Sequence, residues 1–97
     1  MREHFFIVYD FVEDSRRARC VKILEEYGIR VQYSIFEFFL TKARKIELIS
    51  RLKKAGFLKD NRGEAFMIVP VSRDTSKKIK RYGNTVDIVA QPGIFSV

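Results

Sequence analysis

The spacing of apolar and polar positions changes several times along the chain, and each change marks an element. Residues 3–9, Glu-His-Phe-Phe-Ile-Val-Tyr, are a nearly continuous apolar run. Its length and lack of alternation predict a central strand covered on both faces. Asp10 ends the run, and Asp14 or Ser15 is placed to cap a following helix. In that helix Ala18, Val21, Leu24 and Tyr27 recur at helical spacing, and Gly28 is a natural stop. Ile29, Val31, Tyr33 and Ile35 then alternate with Arg30, Gln32 and Ser34, the pattern of a half-buried strand. The alternation fails at Phe36, with Phe38, Phe39 and Leu40 following, which predicts a bulge or a break into two strands.

Thr41 can cap a second helix, with Ile46, Ile49 and Leu52 on its inner face and Lys42, Arg44, Lys45, Arg51, Lys53 and Lys54 over the rest. Gly56 ends it, and residues 59–63 have turn chemistry. Residues 65–71 read as a strand whose Pro70 places it near a sheet edge. Ser72 to Tyr82 predict a short basic helix closed by Gly83, and Val86 to Ala90 a last short strand. Pro92 and Gly93 break that strand before the apolar tail Ile94 to Val97. This order predicts an α+β, ferredoxin-like βαββαβ sheet over residues 1–82 with both helices on one face, followed by a strand and tail at 83–97. The other face of the sheet needs cover. A second copy of the chain is the cheapest cover, so a homodimer is expected, with the short last strand adding to the partner's sheet.

Ninety-seven residues, 46% of them hydrophobic, suit one small globular domain. No run is long and apolar enough to span a membrane, and the start lacks the pattern of a signal peptide. The one cysteine, Cys20, excludes an internal disulfide, and the expected location is the cytoplasm. The net charge of +7 points to a polyanionic partner or to a merely solvated face. Its distribution changes the picture. Residues 1–40 carry six Lys/Arg and seven Asp/Glu, whereas residues 41–81 carry thirteen and four. The basic surface therefore belongs to the middle of the chain.

Asp10 leads the residues suited to chemistry, because it sits where a buried strand opens into a loop. It can equally be a turn former bonding its own loop. One carboxylate makes a poor magnesium site, but a two-fold axis beside Asp10 would bring two together. Asp10, Glu13 and Asp14 can also form a local acidic site, or Asp14 can simply cap the helix. Arg16, Arg17 and Arg19 crowd the start of the first helix, where cations are unfavourable unless an anion or the acids Glu13, Asp14 or Glu37 meet them. Arg30, Gln32 and Ser34 share one strand face open to a phosphate backbone or to solvent. Phe36 and Phe38 are stacking platforms for bases, or core. His4 and Cys20 read as packing residues, and no phosphate loop, zinc spacing or nucleophile elbow is present.

Three motifs occur in order: the strand ending Tyr9-Asp10 before Asp14-Ser15-Arg16-Arg17-Ala18-Arg19, the strand Arg30 to Glu37, and the strand Phe66 to Val71. Over roughly residues 3–82 they resemble the small CRISPR-associated adaptation proteins of the Cas-two family. The resemblance implies a ferredoxin-like fold, a symmetric homodimer, and a magnesium-dependent endonuclease activity on RNA or DNA. It also implies a place in spacer acquisition beside an integrase subunit. By position Asp10 matches the family's metal carboxylate, and Tyr9, Arg17, Arg19, Arg30 and Phe36 match positions linked to its nuclease site. Phe38-Phe39 and residues 83–97 depart from the pattern. Two other functions stand beside the nuclease: a non-catalytic dimeric scaffold that binds duplex DNA and bridges integrase subunits, and an unrelated toxin-like RNA nuclease on the same fold.

Overall fold

A computed structural model describes residues 1–59 and 63–83, so the expected strand Val86–Ala90 and tail Ile94–Val97 lie outside the described residues. Strand β1 (Arg2–Asp10) is followed by helix α1 (Asp14–Glu25), strands β2 (Ile29–Gln32) and β3 (Ile35–Thr41), helix α2 (Lys42–Lys54), strand β4 (Ala65–Val71) and the short helix α3 (Arg73–Lys78). The strands form one antiparallel sheet in the order β2-β3-β1-β4. The apolar run of β1 is thus central, and Pro70 lies on an edge strand where its missing N–H can face away from the ladder. Each main helix carries the chain across one intervening strand, which is the ferredoxin-like arrangement expected from the sequence.

The register sorts the side chains. Phe5 pairs with Phe38 and Ile7 with Phe36. With Tyr9 and Leu40 these residues form the helix side of the sheet, packed with Cys20, Val21 and Leu24 of α1 and Leu48 and Leu52 of α2. Phe5 and Phe38 stack with ring centroids 4.9 Å apart. Each such fully buried side chain contributes roughly 1.5–3 kcal/mol of transfer free energy.

Several boundaries differ from expectation. Ala18 is exposed and Cys20 is buried instead. On α2 the buried stripe is Leu48 and Leu52 with Ile49 half-buried, while Ile46 is 59% exposed. The N-cap of α1 is Glu13, without a side-chain bond, so neither Asp14 nor Ser15 caps it. Thr41 and Ser72 do cap, accepting from the backbone N–H of Arg44 and Thr75. β2 and β3 are separate strands, which is the expected break, and an irregularity also occurs earlier than expected, between Arg30 and Gln32 rather than at Phe36. α3 stops at Lys78, with Ile79 extended, rather than running on to Tyr82.

The other face of the sheet is partly covered by the chain's own C-terminal segment. Ser76 Oγ lies 2.7 Å from His4 Nδ1. Arg81 donates to both Glu37 oxygens at 2.8 and 2.6 Å. His4 Nε2 meets the same carboxylate. Glu37 is fully buried, and an ionised carboxylate only accepts, so Nε2 carries the hydrogen in that contact. Met67 (58% exposed) and Val69 (38%) remain open on this face.

Candidate functional site

The site is built where β1 runs out. Tyr9 points to the helix side and is almost fully buried, while the next residue, Asp10, is exposed. The Tyr9 backbone N–H donates to the Ser34 carbonyl at 3.0 Å, which ties the end of β1 to the β2–β3 turn. The Tyr9 hydroxyl donates to the Tyr33 carbonyl at 3.0 Å. Arg30 donates to that carbonyl from Nε at 3.2 Å and Nη2 at 2.8 Å, and reaches the Tyr9 hydroxyl at 3.5 Å. Its guanidinium lies 5.9 Å from the Phe36 ring centroid and 5.3 Å from that of Tyr33. Burial pushes the Tyr9 phenol above its ordinary pKa, against the opposing charge and hydrogen bond of Arg30. The phenol is therefore neutral at physiological pH and acts as a donor, not a base.

The three arginines of α1 divide. Arg16 turns inward, donating to Glu64 at 2.8 Å and to the Gly56 carbonyl at 2.9 Å, with its guanidinium 4.9 Å from the Phe57 ring. It fastens α1 to the end of α2 and is no part of an anion site. Gly56 makes this possible, since its φ of 83° turns the carbonyl at the helix end. Arg17 donates to Asp14 and to the Phe11 carbonyl, and its guanidinium lies 5.8 Å from the Tyr33 ring centroid. The bond to Asp14, then the charges of Tyr33, Asp14 and Asp10, hold Arg17 more firmly protonated than usual, against some desolvation. Arg19 is exposed and forms no hydrogen bond or ion pair with a described residue.

Of the residues singled out in the sequence, Tyr9, Arg17, Arg30 and Phe36 therefore converge, with Asp10 at the rim, and Arg19 stands apart. Phe36 and Phe38 are fully buried, so neither is a platform for bases; Phe36 is the floor beneath Arg30. Glu37 meets His4 and Arg81 and none of the α1 arginines. His4 is a buried polar partner rather than simple packing. Burial pushes the Cys20 thiol up to about 12, which leaves it unreactive. Tyr33 escaped the sequence reading, which placed it on the inner side of a strand. It is 66% exposed in the β2–β3 turn, between Arg17 and Arg30. The signal was the polar Gln32 and Ser34 on either side of it, just before the alternation breaks.

No group of three or more His, Cys, Asp or Glu side chains able to hold a metal occurs among the described residues. Asp10 forms no ion pair with a described residue and presents a hard oxygen donor, the ligand type magnesium takes, although one carboxylate alone does not make a site. Among the described residues no helix is long and apolar enough to cross a membrane.

Comparison with known proteins identifies the family. The family model for CRISPR associated protein Cas2 matches residues 3–82. A CRISPR-associated endoribonuclease Cas2 of Synechocystis sp. is 35% identical over 79 residues, 81% of this chain and 83% of that protein. One of Archaeoglobus fulgidus is 35% identical over 89 residues, 91% of this chain and 93% of that protein. A chain of a partial Cas6-RT-Cas1--Cas2 complex superposes with a TM-score of 0.66 at 31% identity, covering 92% of this chain and 98% of the other. With the sheet order and these matches in agreement, the chain belongs to the CRISPR-associated Cas2 family.

Proposed function

We propose that this chain works as a homodimeric, magnesium-dependent endonuclease on RNA or DNA, within CRISPR spacer acquisition. The observation that carries this reading is the exposed Asp10 carboxylate beside a cationic cluster of Arg17 and Arg30 braced by Tyr9. The names of the Synechocystis and Archaeoglobus relatives support the endoribonuclease part. The Cas1–Cas2 assembly of a similar chain supports an integrase subunit as partner. Family membership sets aside an unrelated toxin-like nuclease.

Asp10 from each protomer would hold the ion, which supplies Lewis acidity to the scissile phosphate and its attacking water. Arg17 and Arg30 would position the backbone through charge-assisted bonds. Tyr9 would brace Arg30 through the Tyr33 carbonyl to which both donate. Arg19, on the exposed side of α1, would reach only a longer stretch of nucleic acid. The exposed Met67 and Val69 are available for the second protomer. A cleavage assay on labelled RNA and DNA, with magnesium or with EDTA, tests the activity, and light scattering tests the dimer. Metal-independent cleavage, or a monomer of 11.4 kDa at micromolar concentration, would contradict it.

A non-catalytic scaffold for duplex DNA is the second reading. It is favoured by there being one candidate metal carboxylate, Asp10, per protomer and by exposed Lys42, Lys53 and Lys54 on α2 with Arg73, Lys77 and Lys78 on α3. Duplex binding that falls steeply with salt, in a protein that never cleaves, would select it.

A further inference from the structure

We propose that the ring of Tyr33 is a stacking platform for one unpaired nucleobase, with Arg17 and Arg30 taking the phosphates beside it. This rests on the reading of the strand-end cluster as a nucleic-acid site, and it names the form of nucleic acid the site takes.

Four observations converge on Tyr33. It is a large aromatic residue 66% exposed, at a turn where strand alternation would have turned it inward. Its backbone is fixed, because its carbonyl accepts from the Tyr9 hydroxyl and twice from Arg30, so holding a ligand on the ring orders little of the protein. Two guanidiniums lie over its ring, 5.8 and 5.3 Å from the centroid, and the residue still remains 66% exposed. Those cations also keep their charge available. Among the described residues Arg30 bonds only to a carbonyl and a phenol, and Arg17 is ion-paired with the 93% exposed Asp14 and feels the exposed Asp10 nearby.

The surroundings favour a nucleotide over an apolar partner. Gln32 and Arg30 are exposed beside the ring, which gives a single aromatic surface in a polar, cationic frame. A nucleotide has the matching parts: a flat face for the ring and an anionic backbone for the arginines. In a duplex the base faces are occupied by their own stack, so only an unpaired base can use the platform. The phenol is not needed for stacking, whereas the aromatic ring is.

The chain contains no tryptophan, so Tyr33→Trp introduces a single indole as a reporter at the site. The experiment uses the full chain in EDTA, which separates binding from cleavage, with one short RNA presented single-stranded or annealed to its complement. The single strand should quench the indole emission and the duplex should not. Tyr33→Phe should bind the single strand as the wild type does. Tyr33→Leu, apolar but not aromatic, should lose about tenfold in single-strand affinity. Its duplex affinity should stay within about twofold of wild type. Unchanged single-strand affinity in Tyr33→Leu, equal losses on both forms, or emission blind to the single strand would each overturn the platform. A wild type that binds this way but never cleaves would sink the nuclease reading alone. A wild type that binds neither form would sink both.

Discussion

The Tyr9 hydroxyl donates to the Tyr33 carbonyl at 3.0 Å, and Arg30 donates to the same oxygen from the opposite strand's neighbour, so one acceptor gathers three parts of the site. Tyr9→Phe removes one donor and leaves the two from Arg30. The expected loss is about 1 kcal/mol of stability, the net worth of a typical hydrogen bond. Affinity for nucleic acid should fall further than stability does, because Arg30 also loses its contact with the phenol. Urea unfolding read beside a binding titration checks both.

Glu37 gives the fold an acid limit. Burial raises its pKa, but the bonds from His4 and Arg81 and the Arg81 charge outweigh that, and the carboxyl lies below its ordinary value of 4.5. A folded-state pKa below the unfolded one adds stability above the unfolded value, and this is lost as pH falls through the folded one. The network therefore supports the fold at neutral pH, and its contribution declines as the pH falls below the ordinary 4.5 and is gone only below the lower folded-state value. Glu37→Gln should cost on the order of 3 kcal/mol at pH 7, because Arg81 then faces a neutral amide in a buried site. The variant's loss should shrink towards acid pH, and unfolding midpoints at pH 7 and pH 4 measure it.

Gly28 is needed for space. A Cβ there would stand 2.4 Å from Phe38 Cδ2 and 2.5 Å from the Glu37 carbonyl oxygen, and the latter is backbone that cannot swing away. Gly28→Ala should therefore separate the α1–β2 corner from β3, with a loss of roughly 1–3 kcal/mol. Thermal unfolding of a variant as stable as wild type would show that the corner yields.

What the sequence made legible follows from which signals are local. The continuous run of β1, the Thr41 cap and the edge position of Pro70 depend on near neighbours and match the structure. The phase of α2 does not. Ile46, Leu48, Ile49 and Leu52 allow two stripes, and the choice is made by tertiary packing: Leu48 and Leu52 are fully buried in the core, while Ile46 is 59% exposed and Lys45 bonds Glu3 at 3.0 Å. α3 ends early where the chain becomes extended at Ile79, two residues before Arg81 meets Glu37, a contact between residues far apart in the chain. At the site, Tyr9, Arg17, Arg30 and Phe36 were legible as types at strand and helix ends. Tyr33 was not, because the turn that exposes it interrupts an alternation that continued through it.

Asp10 separates chemistry from binding. Asp10→Asn keeps the size and the local hydrogen bonding of the side chain but removes the charge that would hold magnesium. Asp10 is exposed and forms no ion pair with a described residue, so the fold should be unaffected, within about 0.5 kcal/mol. If Asp10 is half of a metal site, cleavage should fall to background. Nucleic-acid binding should persist or tighten, because each protomer loses a negative charge beside the cation of Arg17. If Asp10 only forms a turn, Asn replaces it and metal-dependent cleavage survives. One variant, assayed for cleavage with magnesium and for binding in EDTA, distinguishes the two. Retained metal-dependent cleavage in a folded Asp10→Asn dimer would move the catalytic carboxylate elsewhere. Loss of cleavage with intact binding would leave Asp10 as the group on which the proposed reaction depends.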